Sequence, residues 1–236
     1  MSISIILPVF NEVKSLEHVL LSWNKYLNEK EIFHEFVICE DGSTDGTKEL
    51  ITWLEKKYPI SNQSSKDRRG YGPGVISGII ASKFDYLLCI DSDGQCMPDS
   101  FLEFYNNKNS ADILIGNRNP RNDPIIRLIY SKLFMIIHDY LFDTKIKDPS
   151  CPFVFAKKKN YLILLDKLNY LKEGFWWGFV AAAKMSGLKI SQIDIVHYKR
   201  YDGSTVVYKL TKMPSIIFKN IIGLIRLKKS FKIYDK

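Results

Sequence analysis

Two aspartates one residue apart follow directly on a short apolar run. In the segment CIDSDGQCMPD, residues 89–99, the apolar run is followed by a polar cluster consisting of Asp91, Ser92, Asp93, Gly94 and Gln95. Carboxylate and amide oxygens are hard ligands that suit Mg²⁺ or Mn²⁺, and magnesium usually shares its coordination with substrate phosphates. The alternative is a helix cap in front of Pro98. An EF-hand calcium loop is excluded, because its final glutamate position is Leu102.

Two further polar clusters, PVFNE (8–12) and EDGSTD (40–45), each follow an apolar run. Strand patterns at 2–7, 36–39, 86–90 and 112–115 alternate with helix patterns at 13–27, 47–58, 75–83 and 98–105. This alternation predicts parallel pairing through right-handed crossovers, and hence an α/β fold with a mostly parallel, doubly wound sheet and flanking helices. Such sheets bind ligands beyond the carboxyl ends of their strands. We therefore expect the three clusters to meet at one site.

The second half of the chain is less regular. It shows helix patterns at 127–141 and 175–186 and strand patterns at 153–156 and 189–197. Residues 213–229 form an amphipathic helix pattern with a broad apolar face, and Lys219, Asn220, Gly223 and Arg226 group on its other side. We expect a main domain over 1–210 and a basic helical tail over 211–236, which either lies on a membrane surface or packs against the domain.

Composition limits the class of protein. The chain has 236 residues, 46% of them hydrophobic, with a net charge of +8 and four scattered cysteines. We expect an ordered core, reduced thiols and no zinc site. The N-terminus does not read as a signal peptide, and no run of 18 apolar residues predicts a spanning helix. Nucleic acid, an anionic membrane surface or phosphorylated substrates could each explain the basic balance, and the plainer alternative is a solvated basic surface; of these partners we expect no nucleic acid.

The motifs PVFNE, EDGSTDGT, DSDGQ, GNR, DPSCPF and YKRYDGST occur in this order. Together they resemble the family-2 inverting glycosyltransferases, most of all the dolichol- or polyprenol-phosphate mannose and glucose synthase branch. The resemblance covers roughly residues 3–210. It implies a nucleotide-diphosphosugar transferase fold of the GT-A type, a nucleotide-diphosphate sugar donor and a divalent cation, Mg²⁺ or Mn²⁺.

The resemblance also implies roles on the donor side. The residues lining the base and ribose would be Pro8, Val9, Asn11 and Glu12. Asp41 would read the base or ribose, with Ser43 nearby in the nucleotide-sugar site. Asp91 and Ser92 would contact the nucleotide sugar, and the cation on the diphosphate would be bound by Asp91, Asp93 and Gln95. The plainer alternatives are that Asn11 and Glu12 cap the first helix and that Asp41 begins an ordinary turn.

On the acceptor side, the resemblance implies a phosphate held by Arg118, Arg127, Ser131 and Arg200, since guanidinium groups pair bidentately with phosphate. A phosphate monoester needs no general base, because its second pKa is about 6. A hydroxyl acceptor does need one. Where the branch usually has a glutamate, this chain reads GFWWGFVA, and the nearest acid is Glu173. The predicted catalytic residues are Asp93, Arg118, Arg200 and Glu173.

Two further features of the sequence each have two interpretations. Trp176 and Trp177 either stack on a sugar or lipid or pack in the core. The glycine-rich RGYGPG segment either lets backbone amides approach the donor phosphates or forms a plain loop. The sequence contains neither a G-x-x-x-x-G-K-[ST] phosphate loop nor a G-x-G-x-x-G after a strand, which argues against ATPase and dinucleotide chemistry.

The sequence thus predicts a metal-dependent inverting glycosyltransferase at the cytoplasmic face of a membrane, with polyprenyl phosphate as the favoured acceptor. One rival is transfer to a hydroxyl of a glycan or lipid-linked saccharide. A nucleotidyltransferase is disfavoured, because PVFNE is not a glycine/lysine-rich loop. The third alternative is a membrane-associated binding protein without catalytic activity.

Overall fold

The predicted α/β sheet is confirmed, with seven strands where the sequence indicated six. The structure is a computed structural model and describes residues 2–170, 174–201 and 213–234. The strands are β1 (Ser2–Val9), β2 (Phe33–Glu40), β3 (Ile60–Asn62), β4 (Tyr86–Cys89), β5 (Ile113–Arg118), β6 (Val154–Lys157) and β7 (Ile190–Ile195). The additional strand, β3, has three residues, which is too short for a recognisable period.

The strands lie in the order β3-β2-β1-β4-β6-β5-β7. All described pairings are parallel except those of β6, which runs antiparallel to both β4 and β5. Because the four residues VFAK have no feature that encodes direction, the sequence did not predict this reversal. As a result, the segment that enters β6 lies at the edge where the other strands end.

Pairing between β1 and β4 ends at Ile6, before Pro8. The Ile90 N–H donates to the Ile6 carbonyl at 3.1 Å, which is the last bond of that ladder. Two residues on, Pro8 has no N–H to donate, and its carbonyl accepts from the Ser92 hydroxyl at 2.8 Å. A side-chain bond therefore replaces the ladder, and the two chains separate into a crevice.

Eight α-helices flank the sheet in the described part of the chain: α1 (Leu16–Glu29), α2 (Thr47–Leu54), α3 (Tyr71–Ala81), α4 (Phe101–Asn106), α5 (Ile125–Phe142), α6 (Lys158–Leu162), α7 (Phe175–Met185) and α8 (Met213–Tyr234). Short 3-10 helices span Pro98–Ser100 and Leu165–Tyr170. Helix α3 begins four residues earlier than predicted, since Pro73 is tolerated in a first helical turn. The glycine-rich segment is thus mostly helical.

Helix α8 packs against the domain through one face. Leu224 and Leu227 are fully buried, and α8 contacts α7 and the 3-10 helix Leu165–Tyr170. Burying two leucines is worth roughly 2 kcal/mol each. Gly223 is also buried, so its prediction on the polar side was wrong. Within the described ranges, no helix combines the length and apolar character needed to cross a bilayer.

Candidate functional site

The three polar clusters line one cavity at the carboxyl edge of the sheet. Its volume is about 310 Å³. The predicted site residues in its lining are Pro8, Val9, Glu12, Asp41, Asp91, Ser92, Asp93, Gln95, Arg118, Arg127, Ser131 and Arg200. Donor-side and acceptor-side predictions therefore fall in the same cavity.

Asn11 and Ser43 lie next to this cavity, outside the lining that the described residues form. Asn11 has a φ of 56°, a left-handed conformation that asparagine tolerates. Its N–H donates to the Ser43 hydroxyl at 2.9 Å, and its side-chain oxygen accepts from the Thr44 N–H at 2.9 Å. These bonds join the loops after β1 and β2, so both residues position the pocket wall.

Asp41 is anchored by the glycine-rich segment. Its Oδ1 accepts from the Arg69 N–H at 2.7 Å, and its Oδ2 accepts from the Gly70 N–H at 2.9 Å. Gly42 has a φ of 77°, and a Cβ there would lie 2.9 Å from the Arg68 nitrogen. Only glycine lets the two loops approach this closely. Asp41 is thus a fixed carboxylate in the pocket wall.

Asp91 and Asp93 share the pocket floor. Burial, and then the neighbouring Asp93 carboxylate, raise the pKa of Asp91 to about 6. Burial also raises the pKa of Asp93. Asp91 Oδ1 accepts from the Tyr71 hydroxyl at 2.8 Å, and Asp93 Oδ1 accepts from the Gln95 N–H at 3.0 Å. A nearby cation would favour the ionised form of both carboxyls.

Arg200 lies on these carboxylates. Its Nη2 donates to Glu12 Oε1, and its Nη1 is 3.5 Å from Asp93 Oδ2. Burial raises the pKa of Glu12, while Ser15 and Arg200 oppose this rise. The partners of Arg200 in the described part of the chain are thus on the predicted donor side.

The residues present fit a divalent cation that shares its coordination with a ligand. Asp91, Asp93 and the side-chain oxygen of Gln95 supply hard oxygen atoms in one wall. No group of three His, Cys, Asp or Glu side chains in the described ranges forms a metal cage of its own. Two carboxylates are what Mg²⁺ needs when phosphates complete its shell.

A second group of charges also lines the cavity, and we call it the arginine cluster: Arg118, Arg121 and Arg127. Asp148 holds Arg118 bidentately, at 2.6 Å from Nε and 2.9 Å from Nη2. The pKa of Asp148 is lowered to about 2, because its bonds and charges from the arginines outweigh burial.

Arg121 and Arg127 share a second carboxylate. Asp123 accepts from Arg121 Nε at 2.5 Å and lies 3.0 Å from Arg127 Nη1. Arg121 Nη1 also donates to the Ser131 hydroxyl at 2.8 Å, which links the loop after β5 to helix α5. Counted together with Asp123 and Asp148, the arginine cluster has three guanidinium groups against two carboxylates, which leaves one net positive charge.

His197 extends the arginine cluster as a neutral hydrogen-bonding group. Its Nδ1 accepts from the Asn122 N–H at 3.0 Å, so the proton of the neutral ring is on Nε2. Burial, and then Arg118, lower the pKa of His197 to about 4. The ring therefore adds no charge at neutral pH.

The aromatic segment at the start of α7 forms a pocket wall. Trp176 is 5% exposed, and its Nε1–H donates to the Tyr71 hydroxyl at 2.8 Å. Trp177 packs edge-to-face on Phe134 of α5, with ring centroids 4.5 Å apart. Both rings have packing partners, and both also line the cavity. Glu173 lies outside the described residues.

Among the pocket residues that sequence reasoning missed are Tyr71, Arg121, Asp123 and His197. It also assigned no role to Asp148, although DPSCPF is one of the ordered motifs. The available signals were weak: two arginines around a proline in NRNPRND, and a tyrosine in a glycine-rich segment. Their roles depend on contacts between elements that are distant in the sequence.

The sequence matches the family description "Glycosyl transferase family 2" over residues 4–168. It is 27% identical over 252 residues to a dolichyl-phosphate beta-glucosyltransferase of Dictyostelium discoideum, covering 96% of this chain and 77% of that protein. It is 29% identical over 168 residues to a dolichol-phosphate mannosyltransferase of Pyrococcus furiosus, covering 68% of this chain and 47% of that one.

The fold is similar to that of solved GT-A nucleotide-sugar transferases. Glucosyl-3-phosphoglycerate synthase from Mycobacterium tuberculosis, in complex with Mn²⁺, UDP-glucose and phosphoglyceric acid, superposes with a TM-score of 0.70 at 16% identity. The match covers 97% of this chain and 80% of that one. At this identity the likeness shows the fold.

Proposed function

Because the chain belongs to glycosyl transferase family 2 and is a glycosyltransferase, we propose that it moves one sugar from a nucleotide-diphosphate donor to a polyprenyl phosphate. The observation that carries this proposal is a single cavity lined both by the Asp91 and Asp93 carboxylates and by the arginine cluster. A donor diphosphate with its cation suits the two carboxylates, and an acceptor phosphate suits the arginines. The named relatives that use dolichyl or dolichol phosphate support the same assignment.

On the donor side, we propose that the nucleoside lies along Pro8, Val9 and Asp41, where the separation of β1 from β4 opens the crevice. Asp91, Asp93 and Gln95 would hold Mg²⁺ or Mn²⁺ together with the diphosphate. When bound, the cation supplies charge neutralisation on the departing nucleotide diphosphate. The bond from the Ser92 hydroxyl to the Pro8 carbonyl fixes the two chains at the base of this crevice.

On the acceptor side, the arginine cluster and Ser131 would bind the phosphate. The Asp123 carboxylate now pairs with Arg121 and Arg127, in the way that phosphate oxygens would. We propose that the acceptor phosphate takes over these two arginines, while Asp148 keeps Arg118 oriented. The cluster's residual positive charge and the His197 Nε2–H favour an anion there.

The transfer itself needs no protein base if the nucleophile is a phosphate oxygen. A phosphate monoester with a second pKa of about 6 is mostly a dianion at neutral pH. The oxygen attacks the anomeric carbon from the face opposite the diphosphate, the bond to the diphosphate breaks, and the configuration inverts. The arginine cluster orients this oxygen. No glutamate is then needed in the segment GFWWGFVA, where the resembled branch usually has one.

We further propose that the protein works on the cytoplasmic face of a membrane. Helix α5 exposes an apolar stripe at helical spacing, consisting of Ile125, Ile126, Ile129, Leu133, Ile136 and Tyr140. Its inner face carries Arg127 and Ser131 into the cavity. Exposed apolar area next to a phosphate site suits a lipid acceptor whose chain remains in the bilayer.

Helix α8 supports the same orientation. Phe218 and Ile225 are 65% and 40% exposed, and the exposed cations Lys219, Arg226 and Lys229 lie among them. Apolar side chains mixed with cations fit an anionic lipid surface. Ile216, Ile217 and Asn220 of α8 line the cavity, so the proposed membrane face borders its mouth.

The test is a transfer assay with UDP- and GDP-sugars and Mn²⁺, with and without a short polyprenyl phosphate. We expect sugar transfer to the phosphate lipid and loss of turnover when EDTA removes the metal. The same assay with a glycan or lipid-linked saccharide as acceptor provides the contrasting arm. Turnover that requires a glycan hydroxyl and ignores the phosphate lipid would contradict the proposal.

A further inference from the structure

Three side chains from three elements form a hydrogen-bonded chain that ends on Asp91. The Trp176 Nε1–H donates to the Tyr71 oxygen at 2.8 Å, and the Tyr71 hydroxyl donates to Asp91 Oδ1 at 2.8 Å. Tyr71 is the first residue of α3, Trp176 the second residue of α7, and Asp91 lies just beyond β4. We call these three side chains the relay.

Elementary chemistry fixes the direction of both bonds. An indole N–H is a donor only, so the Tyr71 oxygen must accept from Trp176. The single hydroxyl proton of Tyr71 is then directed to the carboxylate. Burial, and then the negative charge of Asp91, raise the pKa of Tyr71 far above 10, so the phenol keeps this proton at any physiological pH.

Packing holds the two rings in place. Trp176 is 5% exposed and meets Phe175 and Phe179 with ring centroids 5.0 and 5.4 Å away. The Tyr71 ring meets Phe175 edge-to-face at 6.3 Å. Neither ring can turn without disturbing this aromatic cluster, so the hydroxyl occupies a defined position under Asp91.

The relay uses one oxygen of Asp91 and leaves the other. In the described part of the chain, Oδ1 accepts from Tyr71, and Oδ2 receives no donor. The backbone preceding Tyr71 also holds Asp41, through the Arg69 and Gly70 N–H groups. Residues 69–71 therefore fix two carboxylates that follow different strands of the sheet.

We propose that Tyr71 is a positioning residue that orients Asp91 for the cation and the donor, and that Trp176 holds Tyr71 in this role. The inference rests on the proposed function of the same pocket. A carboxylate that is oriented by a hydrogen bond from a neighbouring side chain binds metal with less reorganisation. Outer partners of this kind typically contribute about 10- to 100-fold to metal affinity. The hydroxyl, rather than the ring, carries the effect.

The test compares Tyr71→Phe with the wild-type protein in Mn²⁺ titrations, with free Mn²⁺ followed by electron paramagnetic resonance in the presence of UDP and, separately, GDP. We expect the variant to bind Mn²⁺ about 10-fold more weakly. Trp176→Phe, which removes the indole N–H, should give a smaller loss in the same direction. In the transfer assay, Tyr71→Phe should raise the KM for the donor and leave that for the acceptor unchanged.

Tyr161→Phe is the matched control. Tyr161 is another buried tyrosine, but its hydroxyl donates to the Val154 carbonyl at 2.8 Å, outside the cavity lining. The Tyr161→Phe variant should lose thermal stability without any change in its affinity for Mn²⁺. Wild-type Mn²⁺ affinity in Tyr71→Phe, or an equal loss in Tyr161→Phe, would overturn the proposal. Unchanged Mn²⁺-dependent nucleotide binding in Asp91→Asn would instead overturn the proposed function.

Discussion

At the scale of single residues, several charged groups of the pocket are paired with one another. Arg200 bridges Glu12 and Asp93, Asp123 joins Arg121 to Arg127, and Asp148 holds Arg118. Buried charges without partners are costly, so ligands must exchange with these internal pairs. A cation would compete with Arg200 for Asp93, and a phosphate would compete with Asp123 for two arginines.

Asp93→Ala should abolish metal-dependent donor binding, because it removes a carboxylate from the proposed cation site. The measurement is calorimetric titration of UDP and GDP with and without Mn²⁺. Asp45→Ala is a suitable comparison, since Asp45 accepts from the Thr47 N–H and hydroxyl outside the cavity lining. Mn²⁺-dependent binding that persists in Asp93→Ala would contradict the ligand assignment.

Arg121→Ala should raise the KM for polyprenyl phosphate roughly tenfold, which is the lower end of the effect of one charge-assisted hydrogen bond. Arg121→Lys should recover little of this loss, because an ammonium group cannot bridge Asp123 and Ser131 as the guanidinium does. Steady-state kinetics with each substrate varied separately provide the measurement. A rise in the KM for the sugar donor instead would contradict the assignment of Arg121 to the acceptor.

At the scale of elements, helix α5 has one face buried against the domain and one exposed apolar face. Phe134, His138 and Phe142 are buried against the domain, and the apolar stripe points away from it. The His138 Nε2–H donates to the Trp177 carbonyl at 3.0 Å, which ties α5 to α7. The exposed stripe is thus held on a rigid support next to the arginine cluster.

We expect Ile129→Asp and Leu133→Asp, alone and combined, to reduce binding to vesicles of phosphatidylglycerol and phosphatidylcholine by about tenfold or more. Each change removes apolar contact area and adds a like charge near an anionic surface. Phe33→Asp is the control, because Phe33 is 71% exposed at the amino end of β2. Co-sedimentation measures the binding. Equal losses in all variants would indicate non-specific electrostatics.

At the scale of the whole molecule, two buried histidines make the fold sensitive to acid. Burial lowers the pKa of both His138 and His197 from 6.5 to about 4. A lowered folded-state pKa means that the unfolded chain binds the proton first as the pH falls. The stability that each neutral ring contributes is therefore complete above pH 6.5 and decreases as the pH approaches 4.

His138→Gln should reveal this contribution. Above pH 6.5 the variant should be less stable than the wild-type protein, and the gap should narrow by up to about 3 kcal/mol as the pH falls towards 4. Urea unfolding at pH 7.5, 6.0 and 4.5 measures the gap. The raised pKa values of Asp91 and Glu12 act in both proteins and cancel. A gap that stays constant with pH would contradict the prediction.

The sequence predicted the alternating architecture and the meeting of three clusters, because strand ends and periodicity are local signals. It placed Arg200 with the acceptor phosphate, whereas the described partners of this residue are Glu12 and Asp93. It gave Tyr71 no role, because that role depends on Trp176, 105 residues away. Local patterns identify which residues reach the edge of the sheet; pairing among them depends on tertiary structure.

The reversed direction of β6 has a consequence for how this pocket can change. The strands parallel to β1 end at the cavity edge of the sheet, whereas β6 begins there. Asp148 and Ser150, which precede β6, therefore reach Arg118 from the opposite chain direction. The stretch 143–153 is also tied into the core, since Cys151 and Phe153 are fully buried. Under the proposed function, substitutions at Asp148 or Ser150 would alter how Arg118 is held, and with it acceptor binding, without touching the strand ends that precede Asp41 and Asp91.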